Sequence, residues 1–161
     1  MNPQEAVPRS HEDNDIMRLY LDTSAYNRPF DDQSQVKIFL ETQAVLLILQ
    51  LIQDQQVDLV SSNVLEYENS RNSDLERAQS VDFYLSLATF RQIANESIRQ
   101  RAQTLEKTGI KAIDALHVAC AEATHSDYFI TCDKRLINRC KSLNLPVMNP
   151  ADFILEMDDE N

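Results

Sequence analysis

Apolar and polar positions along the chain switch repeatedly between the strand period and the helix period. Residues 16–21 (IMRLYL) are rich in β-branched, aromatic and leucine side chains and give way at once to the polar Asp22-Thr23-Ser24. This predicts a first strand that ends in a carboxylate. After a turn-like NRPFDD run, Val36, Phe39, Leu40, Leu47 and Leu51 recur at helical spacing, so 33–53 reads as a helix that Asp32 or Ser34 would cap. Residues 57–61 (VDLVS) read as a second strand, and Ser62-Asn63 as the start of a helix carrying Glu66 and Glu68. Two charged, amphipathic helices are expected over 73–87 and 93–107, the second ending near Gly109, the only glycine in the chain. A further helix begins near Lys111 and carries Asp114, His117 and Cys120. Residues 127–131 (DYFIT) form a third expected strand running into Cys132-Asp133, 134–143 a helix, and 145–148 a last strand before Asn149-Pro150.

Strands alternating with helices predict an α/β fold, a three-layer α/β/α arrangement around a central parallel sheet of four to five strands. In such sheets ligands bind beyond the carboxyl ends of the strands, where strand order reverses. That rule gathers Asp22, Ser62, Asp133 and Asn149 along one edge, to which neighbouring helices would add Glu68 and Asp114.

Length and composition set bounds on this picture. With 161 residues, 43% hydrophobic and 25% charged, the chain suits one globular domain over 16–155, between acidic tails at 1–15 and 156–161. The longest apolar stretch, 44–52, is interrupted by Gln50 and bordered by Gln43 and Gln53, so it reads as a buried helix and no membrane is expected. The first sixteen residues lack a basic start and an apolar stretch, which argues against a signal peptide and for a cytoplasmic location. Cys120, Cys132 and Cys140 show no CxxC spacing, which argues against a disulfide framework and a zinc site. A net charge of −11 runs against the basic surface expected of a nucleic-acid enzyme, but the two ends carry −7 of it. Carboxylates that share a site would attract divalent cations, and bound cations attract phosphate.

Each candidate also has a plain structural explanation. An Asp after a strand, such as Asp22 or Asp133, commonly caps or turns the chain. Asp114 is harder to explain so, because Ile113, Ala115, Leu116 and Val118 around it are apolar. Glu66 and Glu68 are two apart on one helix and point apart, so only one can reach the site. His117, between Leu116 and Val118, reads as a histidine at the edge of the core, Asp127 as a turn residue, and Asn149 as either lining the cleft or turning the chain. Carboxylates gathered in a largely dry cleft persist only if protons or cations compensate them, and Mg²⁺ or Mn²⁺ suits an all-oxygen site.

The segments YLDTSAYNRPF around Asp22, VSSNVLEYE around Glu68, AIDALHVACA around Asp114 and FITCDKRL around Asp133 resemble, in order and spacing, the PIN-domain family over about 17–155. That family includes the nuclease toxins of bacterial toxin–antitoxin pairs. The resemblance implies that Asp22, Glu68, Asp114 and Asp133 are the catalytic, metal-coordinating acids, with Mg²⁺ or Mn²⁺ as cofactor. The family's gap from the serine at Ser62 selects Glu68 and leaves Glu66 in reserve, and Thr23, Ser24 and Thr131 match positions that buttress or water-link the metal site. It implies a metal-dependent ribonuclease that hydrolyses RNA phosphodiesters to 5′-phosphate products, an antitoxin protein as partner, and a homodimer. The helices over 73–107 and the NRPFDD turn depart from the compact toxin pattern. A catalytically silent PIN-fold module for protein binding is the alternative, although such a module would be expected to have lost one of the four acids. An aspartyl phosphotransferase or a receiver would want a second acid two residues after Asp22, where Ser24 stands.

Overall fold

In the computed structural model, residues 16–159 are described, and the expected N-terminal tail, 1–15, lies outside them. The run Arg18–Leu21 forms β1, and Leu19, Tyr20 and Leu21 are wholly buried. Burial on both faces is what a central parallel strand requires, and it explains the absence of polar alternation there. β1 pairs in parallel with β2 (Asp58–Ser62) on one side and β4 (Tyr128–Ile130) on the other. β3 (Phe90–Gln92) adds outside β2, and β5 (Val147–Met148) outside β4, giving a five-stranded parallel sheet of order β3-β2-β1-β4-β5.

The helices are α1 (Thr23–Asn27), followed by a 3₁₀ turn at Arg28–Phe30, α2 (Val36–Gln53), α3 (Asn63–Ser70), α4 (Leu75–Leu85), α5 (Glu96–Glu106), α6 (Ala112–Ala123), α7 (Lys134–Arg139) and α8 (Pro150–Asp159). α2 packs with α8, and α5 with α6, so the sheet is the middle of three layers, as expected. Side-chain caps fix several starts: Ser62 accepts from the Leu65 amide at 3.1 Å, Asp74 from Arg77 at 3.1 Å and Asn95 from Ile98 at 2.9 Å.

Several elements differ from the expectation. α2 begins at Val36 without a side-chain cap, because Asp32 is occupied in its own turn, accepting from the Ser34 amide and hydroxyl. The three residues of β3 are too few to show a period, and they vanished between two expected helices. Residues 156–159, assigned to an acidic tail, are the last turn of α8. The signal for α8 was present in Asn149-Pro150 followed by Asp152, a cap, a proline at the first helical position and an acid in the first turn. α2 is three residues shorter than the expected 33–53, and its 18 residues, with mean hydropathy 1.5, are long and apolar enough to cross a membrane by length and composition alone. One side of it, including Val45, Ile48, Leu49 and Ile52, joins the core, while Val36, Phe39, Leu40, Leu46 and Leu47 are exposed.

Candidate active site

The sheet order reverses between β1 and β4, so the loops leaving these adjacent strands meet at their carboxyl ends. The Asp22 amide donates to the Ile130 carbonyl at 3.1 Å, and Asp22 itself is buried. Its Oδ1 accepts from the Ser24 hydroxyl at 2.6 Å and, as the cap of α1, from the Ala25 amide at 3.1 Å. Its Oδ2 accepts from the Thr131 hydroxyl at 2.5 Å. Those hydroxyls are aimed by the other strand: Ser24 Oγ accepts from the Cys132 amide at 2.9 Å, and Thr131 Oγ1 from the Asp133 amide at 3.1 Å. With backbone donors on their oxygens, the hydroxyl protons turn toward Asp22. Burial pushes the Asp22 carboxyl above the usual range, while the Ser24 and Thr131 hydroxyls pull it back. Ser24 and Thr131 thus brace Asp22.

Glu68 on α3 reaches the same place from the other side. Its Oε1 accepts from the Thr23 hydroxyl at 3.0 Å and contacts His117 Nε2. Burial raises the Glu68 carboxyl, but the hydrogen bond and charge of His117 outweigh it and leave the group below its ordinary value. His117 is fully buried, and its Nδ1 lies 2.7 Å from the Tyr20 hydroxyl, which in turn lies 2.7 Å from Ser62 Oγ. The histidine expected at the core edge is therefore the link between Glu68 and a buried relay of hydroxyls. Glu66 points elsewhere and forms a bidentate pair with Arg91 at 2.6 Å. Tyr20→Phe would keep the ring stacked on Phe129, whose centroid is 5.3 Å away, but would deprive Ser62 and His117 of a buried partner. A loss of about 1–2 kcal/mol in chemical denaturation is expected. A change below ~0.5 kcal/mol would show that the hydroxyl carries no weight in the relay.

Asp114 lies in the first turn of α6 and is half-buried. Its carboxyl is pushed up to about 6, chiefly by burial and then by the charge of Asp22, with Asp133 and Glu68 adding to it against the opposing effect of His117. Asp133 caps α7, accepting from the Arg135 amide at 2.9 Å and the Leu136 amide at 3.2 Å. The four acids implied by the sequence are therefore within one another's field. Among the described residues, no three Asp, Glu, His or Cys side chains are arranged to hold an ion as they stand. The donor set nonetheless fits a hard divalent cation: it is all oxygen, and a cation would relieve the repulsion that raises Asp114.

One part of the site surroundings escaped the sequence reading. Glu41 of α2 is buried, lies 2.9 Å from Arg28 Nη2 and accepts from Asn149 Nδ2. Asn149 Oδ1 takes the Ala151 amide at 2.8 Å, so this residue turns the chain into α8. The Arg28 guanidinium also interacts with Cys132, between Thr131 and Asp133. Glu41 sits in an apolar helix with nothing in its local sequence to mark it, because its partners are 13 and 108 positions away. The three cysteines are buried and free, and burial pushes the thiols up, Cys120 and Cys132 to about 12 and Cys140 to about 11.

The chain is similar in fold to FitAcB from Neisseria gonorrhoeae, at 19% identity and a TM-score of 0.54 over 82% of this chain and 97% of that one. VapBC2 from Rickettsia felis, solved bound to a DNA fragment from their promoter, is similar at 18% identity and a TM-score of 0.53, over 83% and 98%. PAE2754 from Pyrobaculum aerophilum matches at 14% identity and a TM-score of 0.53, over 90% and 91%. Among curated proteins nothing matches the chain. The model of the PIN domain matches residues 19–142, a span that runs from β1 through α7 and contains all four acids. With well over half of its length matched, the chain belongs to the PIN-domain family.

Proposed function

We propose that this protein is a Mg²⁺- or Mn²⁺-dependent endoribonuclease that hydrolyses single-stranded RNA, working as the toxin of a toxin–antitoxin pair. The observation that supports this most is the gathering of Asp22, Glu68 and Asp133 around Thr23, Ser24 and Thr131 at the switch point of the sheet, with Asp114, raised chiefly by burial, within the field of these acids. Asp22, Glu68, Asp114 and Asp133 would hold the cation, which when bound supplies Lewis-acid and water-activating chemistry for phosphodiester hydrolysis. Ser24 and Thr131 fix both oxygens of Asp22, so that carboxylate needs little reorganisation when a cation enters. Thr23 and His117 orient Glu68 and keep it ionised. Asp114 retains its proton up to about pH 6 in the metal-free protein, so cation binding below that pH releases it. The exposed apolar side chains of α2 support a protein partner, an antitoxin or a second copy of the chain.

The test is cleavage of a fluorescent single-stranded RNA oligomer, dependent on Mg²⁺ or Mn²⁺, blocked by chelator and leaving 5′-phosphate ends. The same ions at millimolar concentration are expected to raise the thermal midpoint, since they bind only the folded acidic cluster. The absence of both cleavage and a thermal shift would sink the nuclease reading and leave the silent protein-binding module.

A further inference from the structure

Among the described residues several arginines are held by acids, while other cations, Lys37, Lys107 and Lys141 among them, form no ion pair. Arg28 pairs with Asp31 and Glu41, Arg91 with Glu66, Arg99 with Glu96 and Arg101 with Glu122. In a protein of net charge −11, such capture is what the surplus of acid predicts. Lys111, Lys134 and Arg135 are exposed and make no ion pair among the described residues, although they line one open cleft of about 570 Å³ together with Asp133. An adjoining small pocket is lined by Lys111, Arg135 and Arg139 with Asp114 and Asp133. Arg139 also forms no ion pair among those residues, and its guanidinium lies over Gly109, where a Cβ would come within 2.0 Å of it. The only glycine, at φ +98°, thus leaves room for a cation beside the acids as well as turning the chain.

Resting on the nuclease reading of the same site, we infer that Lys111, Lys134, Arg135 and Arg139 form a wall that binds the phosphates of the RNA strand flanking the scissile bond. Asp133 lines both pockets and Asp114 the smaller one, and among the described residues none of the four cations forms an ion pair with either acid. Their charge is therefore available to an external anion. The cleft falls within the roughly 300–1,000 Å³ that accommodates a ligand of nucleotide size. Lysines and arginines that meet phosphates fix the position of a strand without reading its sequence, so the wall gives affinity and direction. It also answers the charge objection: the net charge of the molecule is acidic, while the approach to Asp114 and Asp133 is basic.

The experiment measures binding of a fluorescein-labelled single-stranded RNA oligomer by anisotropy, with EDTA present so that no strand is cut, across a series of salt concentrations. For Lys111→Gln/Lys134→Gln/Arg135→Gln the dissociation constant is expected to rise more than about tenfold. The slope of log affinity against log salt should shrink by about 2, roughly 0.7 for each phosphate that is no longer neutralised. Single variants should show about a third of that slope change each. Arg101→Gln, at a paired cation away from the cleft, should bind and cleave as the parent does. Far-UV circular dichroism and a melting curve for each variant exclude misfolding. A slope and affinity unchanged in the triple variant, or a parent that does not bind the strand, would overturn the wall, and cleavage by the parent in Mg²⁺ would then leave the nuclease reading standing. Salt-sensitive binding that disappears in the triple variant, with no metal-dependent cleavage by the parent, would keep the wall and refute the nuclease.

Discussion

Asp114→Asn is expected to lower RNA cleavage more than about a hundredfold while leaving the metal-free protein more stable than the parent at neutral pH. The two effects have one cause. Asp114 is ionised at pH 7 against the field of Asp22, Asp133 and Glu68, in a half-buried position, and a cation bound there is what would make that charge favourable. Losing one ligand charge costs on the order of 3 kcal/mol of transition-state stabilisation, which at about 1.4 kcal/mol per tenfold is the rate loss stated. Without the cation the same charge only repels. A carboxyl raised from 3.8 to about 6 in the folded state binds protons more tightly there than in the unfolded chain. Stability of the metal-free protein therefore falls as pH rises from about 4 to about 6, and the penalty is complete above that. Discounted for the solvent that reaches a half-buried group, it amounts to about 1–2 kcal/mol at pH 7. Asp114→Asn should recover that amount at pH 7 and almost none of it at pH 4. Denaturation of both proteins in EDTA at the two pH values is the measurement, and a variant less stable than the parent at pH 7 would show that Asp114 has a structural partner.

The same substitution at Asp22 or Asp133 should abolish cleavage without that stability gain. Both cap helices, and asparagine caps nearly as well as aspartate, so the backbone bonds survive. At Asp22, however, both oxygens accept hydroxyl protons, and an amide can offer only one oxygen. The expected order of metal-free stability at pH 7 is Asp114→Asn above parent, Asp133→Asn close to parent, and Asp22→Asn below.

What the sequence made legible follows from how local its signals are. Asp22 and Asp133 each follow a strand in the chain, and the rule of strand ends placed them together without any knowledge of their hydrogen bonds. Asp114 showed itself as an acid amid apolar neighbours. Helical spacing allowed only one of Glu66 and Glu68 to reach the site, the family resemblance selected Glu68, and the geometry sends it toward Thr23 and His117 and Glu66 to Arg91. The parts that were not legible depend on pairs distant in sequence. Ser24 and Thr131, which share their work across 107 positions, were named only through the family resemblance, and the meeting of Tyr20 with His117 across 97 had no signal in the sequence. β3 and α8 were missed for opposite reasons: one is too short for a period, and the other was masked by acidic composition, which looks alike in a solvated helix face and in a tail.

Arg28→Met is expected to cost the protein about 3 kcal/mol, a larger loss than any change among the four acids. Glu41 is 2% exposed, and its charge is opposed by Arg28 at 2.9 Å and by the amide of Asn149. The Arg28 contact is an ion pair without hydrogen-bond alignment, since Glu41 Oε1 accepts no hydrogen bond, so the compensation comes mainly from charge. Removing one partner of a buried pair leaves an uncompensated charge, which typically costs about 3–5 kcal/mol, and the partial exposure of Arg28 places this case at the lower end. Glu41→Gln should cost less, about 1 kcal/mol, because Arg28 keeps Asp31 at 3.0 Å and some access to water. The double variant, with neither charge, should be more stable than Arg28→Met alone by about 1 kcal/mol or more, roughly the size of coupling that contacting residues show. Urea denaturation of the four proteins closes the cycle, and strictly additive losses would mean that the two side chains do not act as a pair. Arg28 also touches Cys132, whose amide aims Ser24 at Asp22, so Arg28→Met should loosen the brace on that carboxylate. Its cleavage rate should therefore fall further than its folded fraction accounts for.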